Sequence, residues 1–389
     1  MNAYPSPFQL AELALALPIV VGSLFSLVAV SHALIWLHWP RAKPAAEFLP
    51  PVSVLKPLFG ADKNLHENLR SMCLQDYPDY QVVLAVQRMD DPAIPTAREI
   101  VREFGESRVS LCISNTPPRA NGKVENLVAA FPAVRHDVLV ISDSDVRVET
   151  DYQRTIVAPL GDARVGAACT LYRGACARHF VEKLELLSFN ADFLPELIIA
   201  RAVGLTDACL GASTAIRRET LESIGGFAAL VDYLAEDAQM GRRIVAKGLR
   251  NVLLPVFVDT MIDLPDWKAW WQHQTYWDQN ARYVQFAGFL ALPLLKAVPF
   301  AILFAALRQF DVIGLGVFAA VLAIRFASAA AFLIFGARDR AGLRSLALLP
   351  LRDIASMATW LSAVFLTHFT RREASFSVTR DGRIIGRES

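Results

Sequence analysis

The sequence carries almost no excess charge and few of the patterns that mark common ligand sites. Its 39 basic and 38 acidic residues leave a net charge of +1, so no global field directs the chain toward nucleic acid. The five cysteines include no Cys-x-x-Cys pair and the seven histidines form no close cluster, so we expect free thiols in a reducing compartment and no zinc site. A P-loop and a G-x-G-x-x-G are both missing, which leaves a dinucleotide-binding fold without support.

What the chain does have is apolar sequence in long runs. It is 54% hydrophobic, with a mean hydropathy of +0.34. After a tail at 1–12, residues 13–37 are apolar except for His32, which is long enough to cross a bilayer. The tail lacks the basic residues of a cleaved signal peptide, and Arg41 and Lys43 follow the run. The positive-inside rule therefore predicts an uncleaved anchor with the following residues in the cytoplasm; a buried core helix is the alternative.

Residues 50–265 have the alternating character of a soluble α/β domain. Strands are predicted at 52–55, 81–86, 109–113 and 138–142, and helices at 65–73, 97–104 and 124–131. This alternation predicts a mostly parallel sheet with right-handed connections. Ligands of such sheets bind beyond the carboxyl ends of the strands.

After residue 265 the sequence becomes membrane-like again. The segment 266–283 places four tryptophans on one helical face, which favours an interfacial amphipathic helix over a core helix. Residues 284–369 then contain three apolar segments, 284–307, 310–335 and 346–369, predicted to span or re-enter the membrane, before a tail at 370–389. Their internal charges must pair, snorkel or line a cavity. Three spans would put Arg371 and Arg372 outside, against the positive-inside rule, so the parity stays open.

The clearest chemical motif follows the predicted strand 138–142. Asp143 and Asp145 are separated by one residue, so their carboxylates project toward the same side. Two converging carboxylates suit Mg²⁺ or Mn²⁺, especially a metal that phosphates also bind. A polar turn after a core strand is the alternative.

Further polar groups fall at corresponding places of the predicted domain. Asp90 and Asp91 follow the second strand, where they could bind a uridine or form a turn before Pro92. Glu236 and Asp237 open a helix, where a carboxylate could act as general base or stabilise the helix dipole. Candidate phosphate-binding groups come after the first strand and at the start of the helix 124–131: Lys56, Lys123 and Asn126.

Together these motifs resemble the ceramide glucosyltransferase family of inverting nucleotide-sugar transferases. Its sparse pattern of three aspartates matches Asp91 (or Asp90), Asp143 and Asp237. Its final Gln-x-x-Arg-Trp is altered, because residues 273–277 read His-Gln-Thr-Tyr-Trp, which keeps only the Trp. Arg282, one and a half turns later, could supply the missing cation, or be ordinary flanking charge before the next span.

The resemblance implies a GT-A fold with a divalent metal and a UDP-sugar donor, acting on a membrane lipid and needing no evident protein partner. It assigns the metal to Asp143 and Asp145, and catalysis to Asp237 with Glu236. The donor site would comprise Lys56, Asp90, Asp91, Lys123, Asn126, Asp143, Trp277 and Arg282. The acceptor side would comprise His273, Gln274 and Tyr276.

The reaction expected from this resemblance is transfer of glucose or a related hexose to a lipid hydroxyl, most simply that of ceramide, with the catalytic domain facing the cytoplasm of a presumed bacterial inner membrane. A related branch transfers N-acetylglucosamine to hopanoids, which is the first alternative. A processive polysaccharide synthase is the second, although it would need more spans. A non-enzymatic scaffold would have no reason to collect acidic groups at several strand ends.

Overall fold

The computed structural model of the protein describes residues 6–41, 48–115, 121–366, 368–371, 374–379 and 381–388. Lys43 and Arg372, which entered the topology prediction, lie outside these residues. The chain divides into two compact units. One is a helical unit formed by 1–39, 177–205 and 264–367, and the other is a sheet unit formed by 40–176, 206–263 and 368–389.

The sheet unit contains two sheets among the described residues. The larger has the strand order β3-β2-β1-β4-β7-β6-β8-β5, and the smaller has the order β11-β10-β9. In chain order the strands are β1 (Val52–Pro57), β2 (Tyr80–Val86), β3 (Val109–Ile113), β4 (Val138–Ser142), β5 (Val146–Arg147), β6 (Val165–Ala175), β7 (Ser213–Arg217), β8 (Arg250–Met261), β9 (His368–Arg371), β10 (Ala374–Val378) and β11 (Ile384–Glu388).

The α-helices of the described residues begin with a long amino-terminal helix and alternate with the strands through the sheet unit. In chain order they are α1 (Pro7–His38), α2 (Leu65–Cys73), α3 (Ala93–Phe104), α4 (Gly122–Ala130), α5 (Tyr152–Val157), α6 (Phe180–Leu187), α7 (Leu194–Ala202), α8 (Arg218–Ser223), α9 (Glu236–Ala246), α10 (Trp267–Val284), α11 (Phe286–Ala291), α12 (Ala297–Leu307), α13 (Val312–Ala331), α14 (Arg340–Arg344) and α15 (Leu349–Phe365).

The four predicted strands form the parallel half of the large sheet, as the sequence pattern indicated. β1 pairs in parallel with β2 and β4, and β2 pairs in parallel with β3. Every residue of β1, β2 and β4 is buried, which explains why these strands read as continuous apolar runs. Their carboxyl ends lie at one edge, so the loops after β1, β2 and β4 meet there. The predicted mostly parallel α/β fold is confirmed.

The second half of the sheet mixes strand directions and brings a later loop to the same edge. β7 runs antiparallel to β4, with Ser213 opposite Ser142. The residues just before β7 therefore lie beside the residues just after β4, and the Asp143 amide donates to the Ala212 carbonyl over 3.1 Å. This antiparallel pairing places Gly211 next to the Asp-x-Asp loop.

The helical unit contains two helices that are long and apolar enough to cross a membrane, Pro7–His38 and Val312–Gly336, within the described part of the chain. The segments Phe286–Leu295 and Ala297–Leu307 pass the same test as a pair, although a 49° bend separates them. α15 ends at Phe365, earlier than the predicted segment 346–369, and His368 begins strand β9. The described residues therefore contain two candidate spans, or three if the bent pair is one span. The sequence predicted four segments that span or re-enter the membrane.

The internal charges of the later helices are paired within the helical unit. The buried carboxylate of Asp192 lies 3.1 Å from the Lys296 amine and 2.6 Å from the guanidinium groups of both Arg325 and Arg352. Arg325 also contacts Asp353 at 2.8 Å. Pairing is thus the way these charges are accommodated, since an isolated charge in hydrocarbon is costly.

The unit boundaries differ from the single uninterrupted domain predicted at 50–265. Residues 177–205, which include α6 and α7, leave the sheet unit and pack within the helical unit. The carboxyl-terminal residues from His368 onward belong to the sheet unit, where β9, β10 and β11 form the small sheet. The predicted tail at 370–389 is therefore partly strand.

Candidate active site

A lysine and two carboxylates form the centre of the candidate site, at the edge where β4 and β7 meet. The Lys123 amine lies 2.7 Å from Asp143 Oδ1 and 3.3 Å from Glu236 Oε1, and it donates to the Gly211 carbonyl over 2.9 Å. These groups come from four separate segments of the chain. Burial lowers the pKa of the Lys123 amine, but the charges of Asp143, Glu236 and Asp237 outweigh burial and raise it. Lys123 therefore stays protonated.

Asn121 joins the two helices that carry this cluster. It caps α4, because its side-chain oxygen accepts from the Val124 amide over 3.3 Å. Its side-chain amide donates to the Tyr233 carbonyl over 2.9 Å and to Glu236 Oε2 over 3.0 Å. The start of α4, with Lys123, is in this way tied to the start of α9, with Glu236.

Asp237 lies beside this cluster, and its surroundings destabilise the negative charge of its carboxylate. Burial raises the pKa of its carboxyl to about 7, with the negative charge of Glu236 as the second cause. Gly211 permits the close approach, since a Cβ there would lie 3.3 Å from both Asp237 Oδ2 and Lys123 Nζ. An apolar pocket opens alongside, lined by Leu127, Ile141, Leu210, Phe227, Leu230 and Met240. A carboxyl group with this pKa suits a general base.

Asp145 is the carboxylate of the Asp-x-Asp motif that has no described hydrogen bond or ion pair at its side chain. Burial raises its pKa to about 7, and the charges of Asp143 and Asp62 add to the rise. A bound cation would relieve this repulsion, so Asp143 and Asp145 fit a divalent metal that phosphates also bind. The described residues contain no group of three or more His, Cys, Asp or Glu placed to hold a metal by protein ligands alone.

Lys56 lies beneath the motif instead of facing solvent. It is fully buried on β1, and its amine donates to the Asp143 carbonyl over 2.8 Å and to the Val146 carbonyl over 3.4 Å. Burial lowers its pKa to about 8, against the opposing charges of Asp145 and Asp143. In this structure Lys56 holds the loop that carries the two aspartates, and a direct contact with the donor stays a prediction.

The two aspartates after β2 have different surroundings. Asp91 is buried, and its Oδ1 accepts from the amides of Gly60 and Ala93 at 2.9 Å each, which joins the loop after β1 to the start of α3. Asp90 is exposed and pairs with Arg88 at 2.5 Å. Of the two positions that the resemblance allowed, Asp91 is the one with a buried side chain beside the carboxyl ends of β1 and β2.

Asn126 faces the same region from α4. Its side-chain amide donates to the Leu58 carbonyl over 3.0 Å, which ties the helix to the loop after β1. The side-chain oxygen is buried and has no hydrogen-bond donor in the structure. A buried acceptor without a donor is a group that a bound ligand can satisfy, so Asn126 stays a predicted donor-site residue.

The remaining predicted residues lie on α10 of the helical unit, and two of them contact a buried acid. Glu185 contacts His273 Nδ1 at 3.1 Å and accepts from the Gln274 side-chain amide over 2.6 Å. The Trp277 indole donates to His273 Nε2 over 3.1 Å. His273 Nε2 is therefore an acceptor, and the imidazole ring lies between Glu185 and the Trp277 indole.

Arg282 and Tyr276, also on α10, have hydrogen bonds within the helical unit, and their roles at the donor and acceptor stay predictions. The Arg282 guanidinium donates to the carbonyls of Ala363, Val364 and Leu366 at 2.8–3.1 Å, so it caps the carboxyl end of α15. The Tyr276 carbonyl accepts from the Asn280 side chain over 2.9 Å. Trp270 is fully buried, whereas Trp267 is 44% exposed, so the indole face is part core and part surface.

Several residues of these clusters have little or no signal in the sequence. Asn121 was not assigned a role, although Asn before a helix is a capping signal. Glu185 was missed, and its signal is an acid on the apolar face of α6 beside Val181 and Leu184. The approach of Gly211 to Lys123 has no local signal, because 88 residues separate them.

The chain is similar in sequence to one protein family and to several named proteins. A family model described as glycosyl transferase family 21 matches residues 15–384. Ceramide glucosyltransferase 1 of Caenorhabditis elegans is 25% identical over 247 residues, which is 63% of this chain and 52% of the relative. Ceramide glucosyltransferase of Komagataella phaffii is 32% identical over 112 residues, covering 28% of this chain and 22% of the relative. The matches with the Caenorhabditis elegans enzymes thus span about half of their length.

A solved structure supports the fold. A mannosyltransferase from Pyrobaculum calidifontis, determined with GDP-mannose and Mn²⁺, superposes with a TM-score of 0.56 at 22% identity, over 92% of this chain and 99% of that one. The similarity establishes that the chain has a glycosyltransferase GT-A fold, as the sequence predicted.

Proposed function

The chain belongs to glycosyltransferase family 21, and from that premise we propose that it transfers a hexose, most simply glucose, from a UDP-sugar to the hydroxyl of a membrane lipid such as ceramide. The observation that carries the proposal is the cluster of Lys123, Asp143 and Glu236 with Asp237 beside it. A permanent cation and a carboxyl group with a pKa near 7 stand together at the carboxyl end of the sheet.

In the proposed reaction, Asp237 takes the proton of the acceptor hydroxyl. The acceptor oxygen then forms a bond to the anomeric carbon on the face opposite the leaving group. The bond between that carbon and the diphosphate oxygen breaks, and its electron pair leaves with UDP. A single displacement of this kind inverts the anomeric centre, so an α-linked donor gives a β-glycoside.

The surrounding residues would orient the donor and balance the charge that develops on it. The Lys123 ammonium, 2.7 Å from Asp143, would stabilise the negative charge of the departing diphosphate. A divalent metal held by Asp143 and Asp145 would neutralise the same diphosphate when bound. Asp91 would hold the uridine side, and Lys56 keeps the Asp-x-Asp loop in place from below.

The helical unit would provide the membrane location, and the predicted acceptor-side residues lie on its helix α10. Its two or three candidate spans support association with a bilayer, and His273, Gln274 and Trp277 form an ordered polar and aromatic group on α10. The catalytic domain would face the cytoplasm, where UDP-sugars are made.

The Asp237→Asn variant tests the base. We expect it to fold and bind UDP with unchanged affinity but to lose at least a hundredfold in transfer, because general-base catalysis contributes about 10²–10⁴-fold. Membranes containing the protein are given UDP-glucose, UDP-galactose or UDP-N-acetylglucosamine with host lipids, and mass spectrometry detects the glycolipid. Asp79→Asn, at an exposed aspartate of the same unit, is the matched control.

The products distinguish the alternatives. A hexosyl-ceramide supports the proposal, whereas a hexosaminyl-hopanoid keeps the fold and base but replaces the acceptor. A polymer would indicate a processive synthase. Full transfer by Asp237→Asn would remove Asp237 as the base.

A further inference from the structure

The turn between β10 and β11 pairs with the segment that leads into the proposed catalytic carboxylates. The Leu234 amide donates to the Gly382 carbonyl over 3.0 Å, and the Ile384 amide donates to the Asp232 carbonyl over 2.7 Å. Tyr233 and Arg383 form the antiparallel bridge between these two bonds. The carboxyl-terminal turn, of which residues 379 and 381–384 are described, therefore pairs through residues 382–384 with residues 232–234.

Side chains reinforce this pairing. Arg383 Nε donates to the Tyr233 hydroxyl over 3.2 Å, and its guanidinium lies 5.4 Å from the centre of the Tyr233 ring. The Arg243 guanidinium of α9 lies 5.5 Å from the same ring. Tyr233 is buried, so these contacts fix an aromatic side chain that belongs to the segment itself.

The opposite side of the segment is held by the active site. The Tyr233 carbonyl accepts from Asn121, whose amide also donates to Glu236. Leu234 is separated from Glu236 by one residue, and α9 begins at Glu236. The position of residues 232–234 consequently sets where α9 starts and where Glu236 and Asp237 lie.

We propose that the carboxyl-terminal turn is a positioning element for the active site, with Arg383 as its positioning residue. Arg383 acts through Tyr233 and the 232–234 backbone, and it touches no reacting group. The inference rests on the proposed function, because it assigns Asp237 the role of base. A misplacement of about 1 Å in a catalytic group can cost about a hundredfold in rate, so a clamp on this short loop has a measurable effect.

The test compares three variants in the full-length membrane-bound protein. Arg383→Ala removes the contacts to Tyr233 and is expected to lower kcat about tenfold or more, while UDP affinity and the donor KM stay within twofold. Arg383→Lys keeps a cation over the ring and is expected to recover part of the loss. Ile385→Ala, at an exposed side chain of the neighbouring strand, is the control and should behave as wild type.

Amide hydrogen exchange of the peptide 232–240 supplies a second readout that does not depend on turnover. In Arg383→Ala the Leu234 amide is expected to exchange at least tenfold faster, since its acceptor Gly382 is released. Wild-type kcat in Arg383→Ala, or an equal loss of UDP affinity and kcat, overturns the proposal.

The two proposals fail in distinguishable ways. If wild type transfers sugar and Asp237→Asn does not, an active Arg383→Ala rejects only the positioning role. If wild type transfers no sugar to any lipid, the proposed function is rejected, and unchanged exchange in Arg383→Ala then rejects the clamp as well.

Discussion

The Asp237 carboxyl group has to be ionised to accept a proton, and its surroundings resist that ionisation. Burial and the neighbouring Glu236 raise its pKa to about 7, whereas the nearby Lys123 works in the opposite direction. The group is thus poised where it can both take and release a proton at neutral pH.

The pH dependence of turnover follows from this pKa. Below about pH 7 the Asp237 carboxyl is protonated and cannot act as base, so kcat/KM is expected to fall about tenfold per pH unit on the acid side. Initial rates from pH 5 to pH 9 measure it, with UDP binding over the same range as the control. A flat acid limb, with binding constant, would contradict the assigned base.

Lys123 illustrates what the sequence could and could not predict about single residues. Its place at the start of α4 indicated phosphate binding, because helix amino termini favour anions. Its contact with Glu236 joins residues that are more than a hundred positions apart, and only the packing of α4 against α9 creates it. The residue types of the site were predictable, but their pairing was not.

Among the elements, α9 packs directly against the backbone of residues 207–209. This close approach is possible because Gly241 has no side chain. A Cβ at Gly241 would lie 2.5 Å from the Asp207 carbonyl oxygen and 2.7 Å from the Cys209 nitrogen. Both atoms are backbone, so neither can move away cheaply. The helix that carries Glu236 and Asp237 therefore depends on a glycine one turn further along.

Gly241→Ala is expected to move α9 and lower both stability and transfer. Overpacking of this kind typically costs about 1–3 kcal/mol in the free energy of unfolding. Thermal unfolding in detergent and the glycolipid assay measure the two effects. Val245→Ala, at a partly exposed position of the same helix, should change neither strongly, and an unaffected Gly241→Ala would show that the loop 207–209 yields.

Elements were predicted best where the apolar pattern is regular over a few consecutive residues. The runs 138–142 and 109–113 match β4 and β3, and 65–73 matches α2, because apolar periodicity is a local property. The predicted helix 97–104 begins four residues after the observed start of α3 at Ala93. The prolines near the first turn interrupt the apolar periodicity that predicts a helix. β9, β10 and β11 were not predicted, as short strands near a chain end have little apolar signal.

For the molecule as a whole, the decisive departure from the sequence pattern is the segment 177–205. It lies between strands β6 and β7 in the chain but belongs to the helical unit. Its Asp192 is the shared partner of Lys296, Arg325 and Arg352. Hydropathy alone could not reveal this, because the segment contains too many charged residues to resemble a span.

Asp192→Asn is expected to impair folding of the helical unit far more than removal of an exposed acid. It leaves three buried cations with less counter-charge, and loss of one partner of a buried pair costs about 3–5 kcal/mol. Yield of detergent-extracted protein and resistance to protease measure the effect. Asp311→Asn, at a partly exposed pair with Arg308, is the control, and equal yields would contradict the structural role of Asp192.

Asp192 is synthesised before the cations that pair with it. Asp192 leaves the ribosome 104 residues before Lys296 and 133 residues before Arg325. Until the segments that carry those cations are made, the Asp192 charge has no partner among them, and each later cation meets a counter-ion that is already present. A nascent chain that ends before residue 296 would hold this acid without these partners, and an unpaired buried charge is costly.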